Sequence, residues 1–96
     1  MVPGDVRADT TRIAAVAGCA RVKSVGPDAV AQLTGFPPGG VAPFPLPGIE
    51  TVLIERDLLA HELVWIGAGS HKHMAALAPG DLVRLSRARP AQLGVE

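Results

Sequence analysis

The sequence predicts an α/β fold with a mixed β-sheet and short helices packed against it, and three observations carry that prediction. Two short segments with helical spacing and clear start and stop signals come first, two strongly β-prone runs follow, and a third helix start comes last. The connections between strands are too short and irregular for uniform βαβ units, which disfavours a regular doubly wound fold. Hydrophobic residues make up 48% of the 96 residues but aromatic residues only 3%. The core is therefore expected to be aliphatic, with Trp65, Phe36 and Phe44 as its bulky pieces. A chain of this size buries only about two-thirds of the surface its unfolded form exposes, so that core is small.

Met1-Val2 reads as the end of a strand and Pro3-Gly4-Asp5 as a turn. Asp9 is placed to cap a helix over residues 10–17, where Ile13, Ala14, Val16 and Ala17 fall at helical spacing and Gly18 is the stop. Residues 19–25 are expected to form a short strand with Val22 and Ala20 inward and Lys23 outward. Pro27 suits a first helical position, and Val30 and Leu33 supply a buried stripe for a two-turn helix ending at Thr34-Gly35.

Residues 34–46 then depart from regular structure. Pro37, Pro38, Pro43 and Pro45 neither donate to a ladder nor continue a helix, while Gly35, Gly39 and Gly40 permit backbone angles closed to other residues. Two readings stand: a long connection the fold tolerates, or a rigid loop that presents N–H groups to a ligand. Phe36, Val41, Phe44 and Leu46 suit the second, because a slack linker is polar and Ser-rich.

Residues 51–54 and 63–66 are β-prone runs, with Asp57-Leu58-Leu59 between them as a single helical turn. Gly67-Ala68-Gly69-Ser70 ends the second run, and residues 73–77 are expected to form another strand. Pro79, with Asp81 in the first turn and Leu82, Val83 and Leu85 as apolar positions, opens a helix expected to run to about Arg87, with Pro90 stopping it.

Nine basic residues balance nine acidic ones, so the chain has no overall field to hold nucleic acid tightly without help from shape. The local cationic candidates are Lys72 with His71 and His73, and Arg84, Arg87 and Arg89. Those arginines also fit a solvated last helical turn. The single Cys19 rules out an intramolecular disulfide and is expected to be a buried small hydrophobe rather than a nucleophile. With neither a secretory signal nor a membrane-length apolar run, a cytoplasmic location is expected.

His61, His71 and His73 lack a Cys partner at useful spacing, so no metal is expected. Gly67-x-Gly69 continues into neither a phosphate loop nor a dinucleotide fingerprint, and no cofactor is expected. Ser70 sits in no Gly-x-Ser-x-Gly elbow; it is either a turn hydroxyl bonding its own backbone, a ligand contact, or a nucleophile. His71 is either an exposed turn residue or a base or phosphate contact.

Four segments together carry a family resemblance: Thr34-Gly35-Phe36, Gly39-Gly40-Val41-Ala42-Pro43-Phe44, Trp65-Ile66-Gly67-Ala68-Gly69-Ser70 and Leu77-Ala78-Pro79-Gly80-Asp81-Leu82. They resemble the second half of the YbaK/EbsC family of aminoacyl-tRNA deacylases, free-standing relatives of the prolyl-tRNA synthetase editing domain, and Val2-Pro3-Gly4-Asp5 with Asp9 adds to the likeness. The resemblance implies a partly barrel-like mixed sheet, with residues 1–96 as the C-terminal two-thirds of the domain. The family's usual lysine, on a strand upstream of the Val-Pro-Gly-Asp turn, has no counterpart, since Lys23 and Lys72 do not match its position. The chain thus resembles a domain lacking its N-terminal strands.

The implied activity is hydrolysis of the ester joining a wrong amino acid to tRNA, of the Cys-tRNA(Pro) or Ala-tRNA(Pro) type. Such a second sieve is needed because a pocket separates substrates differing by one methylene by only about 1–3 kcal/mol. The resemblance implies that Gly39, Gly40, Val41 and Ala42 hold the developing oxyanion, where one good donor is worth roughly 3 kcal/mol. Phe36, Pro43, Gly69, Ser70 and His71 would contact substrate, and water or a group of the substrate would be the nucleophile. The implied partners are the aminoacyl-tRNA acceptor end and prolyl-tRNA synthetase. The alternative is a non-catalytic remnant or acceptor-end binding module. An open sheet edge would also invite a second copy to add a strand.

Overall fold

Helix punctuation organises the first third of the chain in this computed structural model, which describes residues 1–44, 46, 48–70 and 72–94. Helix α1 spans Thr10–Ala17. Asp9 Oδ1 accepts from the Thr11 N–H at 2.9 Å and the Arg12 N–H at 3.4 Å, satisfying donors that a helix start leaves without partners. Gly18 closes α1 at φ 75°. Its N–H bonds Ala15 O and that of Cys19 bonds Ala14 O, the paired reverse bonds of a left-handed helix stop. Helix α2 spans Pro27–Thr34, with Pro27 in the first turn and Gly35 at φ 76° as its stop. Both helices agree with the sequence reading at each end.

The segment between them does not. Residues 19–25 form no strand, because no described segment runs alongside to pair with them, and Cys19 and Ala20 are exposed while Val22 is half-buried. The expected apolar stripe of α2 is also uncovered: no residue of that helix is buried, and Leu33 is 51% exposed.

Four strands follow: β1 (Leu53–Glu55), β2 (Val64–Gly67), β3 (Met74–Leu77) and β4 (Arg89–Ala91), with a 3-10 turn at Arg56–Ala60 and helix α3 at Pro79–Ser86. They form two separate two-stranded sheets, so the described residues are mixed α/β without a barrel-like closure. In the first, β1 pairs parallel with β4, Ile54 opposite Pro90. In the second, β2 and β3 form an antiparallel hairpin with Val64 opposite Leu77 and Gly67 opposite Met74.

Strand β4 corrects the expectation that Pro90 merely stops the last helix, whose end lies within one residue of the expected Arg87. α3 ends at Ser86, whose Oγ donates to Leu82 O at 2.6 Å and accepts from the Ala88 N–H at 3.3 Å. Arg87 then turns left-handed at φ 57°. The chain returns beside β1, with the Arg89 N–H donating to Val52 O at 2.9 Å. A proline is tolerated there because the ladder ends at this strand. Arg89 is thus no longer a helical residue, and it donates to Val16 O at 2.5 Å.

On the other edge of β1 lies Met1, as the reading of Met1-Val2 as a strand end anticipates. Its α-amino group donates to Leu53 O at 2.5 Å, and its carbonyl accepts from the Glu55 N–H at 2.7 Å. Alternate residues of a strand aim their backbone groups at opposite edges, so Met1 and β4 flank β1.

The core is Ile54, Val64, Ile66, Leu82 and Ala88, with Phe44, Leu58 and Leu77 packed against it. Trp65 is not among them. Strand alternation sends Val64 and Ile66 inward and leaves the indole 64% exposed, correcting its expected place in the core. One charge is buried instead: Glu55 is 3% exposed. Its Oε2 accepts from the Leu93 N–H, and from the Gly94 N–H at 2.9 Å, which offsets the desolvation an isolated carboxylate would suffer. Arg12 donates to Gly94 O at 3.0 Å and the Asp9 N–H to Leu93 O at 2.7 Å, so the same short segment also ties down the start of α1.

Candidate functional site

The glycine-proline loop and the glycine-serine turn meet. Pro37 to Gly40 forms a four-residue turn closed by the Gly40 N–H donating to Pro37 O at 2.9 Å. Pro38 fills its second position and Gly39, at φ 79°, its third, the residue pattern of a type II turn. Beyond it the Gly40 carbonyl accepts from the Gly69 N–H at 2.8 Å. This bond joins two segments that neither helix nor sheet connects.

The contact is so close that it requires glycine on both sides. A Cβ on Gly40 would lie 2.7–2.8 Å from the Ser70 backbone, and one on Gly67 would lie 2.6 Å from Val41 O and 2.8 Å from Val41 N. Neither collision involves a flexible side chain that could swing away. Gly69 has open space around it but sits at φ 105°, a conformation other residues rarely adopt. Thus Gly39 and Gly69 are needed for their torsions, Gly40 and Gly67 for the approach.

The Gly40 N–H is consumed by its own turn, which removes it from the set of donors that could face a ligand. The N–H groups of Val41 and Ala42 have no backbone partner among the described residues. Together with the Gly39 N–H, which also has no backbone partner among the described residues, they are donors this loop can offer. Val41 and Pro43 line an apolar cleft of about 480 Å³ together with Pro3, Ile66, Gly67 and Trp65. Phe36 does not line it; it is half-buried, and its N–H donates to Thr34 Oγ1 at 3.1 Å.

Ser70 lies in the turn that closes the β2–β3 hairpin, where the Ala68 N–H bonds His73 O and the His73 N–H bonds Ser70 O, both at 3.1 Å. Its Oγ accepts from the Lys72 N–H at 3.2 Å, the self-bonding turn hydroxyl. The same oxygen lies 2.6 Å from His73 Nδ1. This Ser70–His73 pair was missed in sequence, where His71 drew attention; spacing of three in a tight turn is the signal that finds it. His71 itself lies outside the described residues. Among those described, no group of three or more His, Cys, Asp or Glu side chains is placed to hold a metal ion.

Fold and site together define a small α/β domain whose candidate site is built from backbone amides and an apolar cleft rather than from a cluster of charged side chains. The chain matches the aminoacyl-tRNA editing domain family over residues 1–85 and belongs to that family. Three solved structures are similar to it. A protein from work on grafting epitope backbones onto scaffold proteins by computational design superposes with a TM-score of 0.89 at 29% identity, covering 100% of this chain and 63% of that one. The crystal structure of a candidate trans-editing enzyme for prolyl-tRNA synthetase gives 0.87 at 28% identity, with 97% and 59% covered. The hypothetical protein APE2540 gives 0.86 at 31% identity, with 98% and 63% covered. The chain therefore spans about three-fifths of the length of these relatives. No curated protein matches it. No helix among the described residues is long and apolar enough to cross a membrane.

Proposed function

We propose that this chain is a YbaK/EbsC-type deacylase that hydrolyses the ester of mischarged tRNA in trans, on Cys-tRNA(Pro)- or Ala-tRNA(Pro)-type substrates. The observation that carries the reading is the 2.8 Å bond from Gly69 to Gly40, which holds the glycine loop against the hairpin turn at the edge of an apolar cleft. The family to which residues 1–85 belong supports the same chemistry.

In this reading the aminoacyl side chain enters the cleft beside Val41, Pro43 and Ile66, and the ester carbonyl faces the Val41 and Ala42 N–H groups. Water attacks the carbonyl carbon, the oxyanion forms against those donors, and the ribose oxygen leaves with a proton as the C–O bond breaks. Preorganised amides suit this task because they need not reorient as charge develops. The type II turn before them and Pro43 after them keep them aimed. Gly39 and Gly40 act as the frame of the loop, and Ser70 is a substrate-contacting hydroxyl held by His73. An apolar cleft fits small uncharged side chains such as those of Ala and Cys, the intruders that a prolyl site admits by size.

The test is hydrolysis of Cys-tRNA(Pro) and Ala-tRNA(Pro) by a folded sample, with prolyl-tRNA synthetase added in a parallel series to detect a working partnership. Release of amino acid well above the buffer rate is expected; its absence in both series removes the catalytic reading. A second reading is a binding module without turnover; binding of a mischarged acceptor end with no release of amino acid selects it. A cytoplasmic location accords with either. The outer edge of β3 has no strand beside it among the described residues, and we propose that two copies pair there. Light scattering that gives a monomer's mass at micromolar concentration removes that pairing.

A further inference from the structure

We propose that Trp65 is a stacking platform for the terminal unpaired base of an RNA 3′ end, a binding contact that deepens the editing reading above and rests on its choice of ligand. The indole is the chain's single tryptophan, and the chain has no tyrosine. It is 64% exposed in a small protein whose core is short of bulky side chains, although burying it would have stabilised the fold considerably. The strand beneath it is held rigid by Val64 and Ile66 in the core. Its cross-strand neighbour is Ala76, whose methyl group is too small to cover the ring. Nearby Leu63 and Met74 are 58% and 60% exposed, so the patch is apolar and open.

Strand period two puts Trp65 and Gly67 on one face of β2. The direction of a Cβ at Gly67 is set by its approach to Val41 O, so Trp65 projects on the same side as the loop that offers the Val41 and Ala42 amides, and it lines the same cleft. Two residues of strand set Trp65 about 7 Å from Gly67, the residue against which Val41 packs, within the span of one nucleotide. An ester held at the loop thus brings the base of its own nucleotide to the indole. The charge balance requires such a contact: with nine basic and nine acidic residues, phosphate attraction alone is weak at physiological salt. Single-stranded ends are recognised through aromatic stacking, which tolerates any base.

The lone tryptophan makes the test direct. An uncharged RNA minihelix ending in 3′-CCA is titrated into the full chain while Trp65 fluorescence is read, so that binding is measured without hydrolysis. Saturable quenching is expected. Trp65→Ala, followed by anisotropy of a labelled minihelix, is expected to weaken binding about tenfold, Trp65→Phe less than about threefold. Removing the RNA's terminal adenosine should cost the wild type about as much as Trp65→Ala does. Circular dichroism checks that both variants keep the fold, as a side chain outside the core should allow. Binding with unchanged emission, equal affinity of Trp65→Ala, or no RNA binding overturns the proposal. So does emission that is blue-shifted in the free chain and moves red on dilution, which would mean a second copy covers the indole. Quenching without any hydrolysis of mischarged tRNA supports the stack while removing the catalytic reading.

Discussion

Two regions of this protein are held together by opposite means. Where the loop 37–43 meets the turn 67–70, backbone approaches backbone, and stability comes from atoms that are absent: Gly40 and Gly67 have no Cβ to keep the segments apart. Around β1, β4 and α3 it comes from atoms that are present, in the apolar side chains Ile54 and Leu82 and the buried Glu55 carboxylate. The first region is intolerant of additions and the second of deletions. A site that must present amides at a fixed spacing gains from the first arrangement, because no rotamer can blur the position of a backbone N–H.

That contrast is open to measurement. Ile54→Ala, in the core at 0% exposure and outside the cleft lining, is expected to lower unfolding free energy by about 2–5 kcal/mol. Denaturant melts check this, and hydrolysis per folded molecule should hardly change. Gly40→Val inverts the pattern: its Cβ must push back the Ser70 backbone, and an ångström of displacement costs about 100-fold in turnover of mischarged tRNA. Equal losses of stability and activity in both variants would break the comparison. Glu55→Gln replaces a charge-assisted acceptor of the Leu93 and Gly94 N–H groups; a loss of about 1.5–3 kcal/mol is expected in the same melts. Ser70→Ala removes the hydroxyl held at 2.6 Å from His73 Nδ1. On an exposed turn it should shift stability by less than about 0.5 kcal/mol, so any larger fall in turnover is assigned to substrate contact.

The smallest expected effect is a pH dependence. Burial lowers the Met1 α-amino group below its ordinary value of 8.0, against the nearby Glu55 carboxylate, which raises it. The unfolded chain therefore binds more protons at this group than the folded one does, so stability rises with pH in the window just below 8 and falls as pH drops through it. Melts between pH 6 and 8.5 should show this slope, and acetylating the α-amino group should remove its share.

Local signals in the sequence were read well wherever the physics is local. Asp9 and Gly18 bound α1, Pro27 and Gly35 bound α2, and both helices appear with those limits. The strand expected at 51–54 appears two residues later at Leu53–Glu55, and the one expected at 63–66 as Val64–Gly67. The one-residue shift at β2 leaves alternation intact. What was not legible depends on partners distant in sequence. Residues 19–25 have suitable composition but no neighbour to pair with among the described residues. Arg89–Ala91, with a proline at its centre, is a strand because β1 lies alongside. Hydrophobicity alone places Trp65 in the core, but it reports what a side chain favours and not which way its strand faces. In the site, the four glycines were visible as a pattern. Their division of labour, and the Ser70–His73 pair, were not.

The sequence by itself thus determined the helix ends, the turn chemistry and the likeness to aminoacyl-tRNA editing domains, because caps, proline torsions and glycine positions act within a few residues of one another. Only the tertiary structure decided which strands exist, which face of β2 meets solvent and which N–H groups the loop keeps free. Those depend on contacts such as Gly40 with Gly69 and Glu55 with Gly94, whose formation is governed by the packing of the whole chain and leaves no local trace.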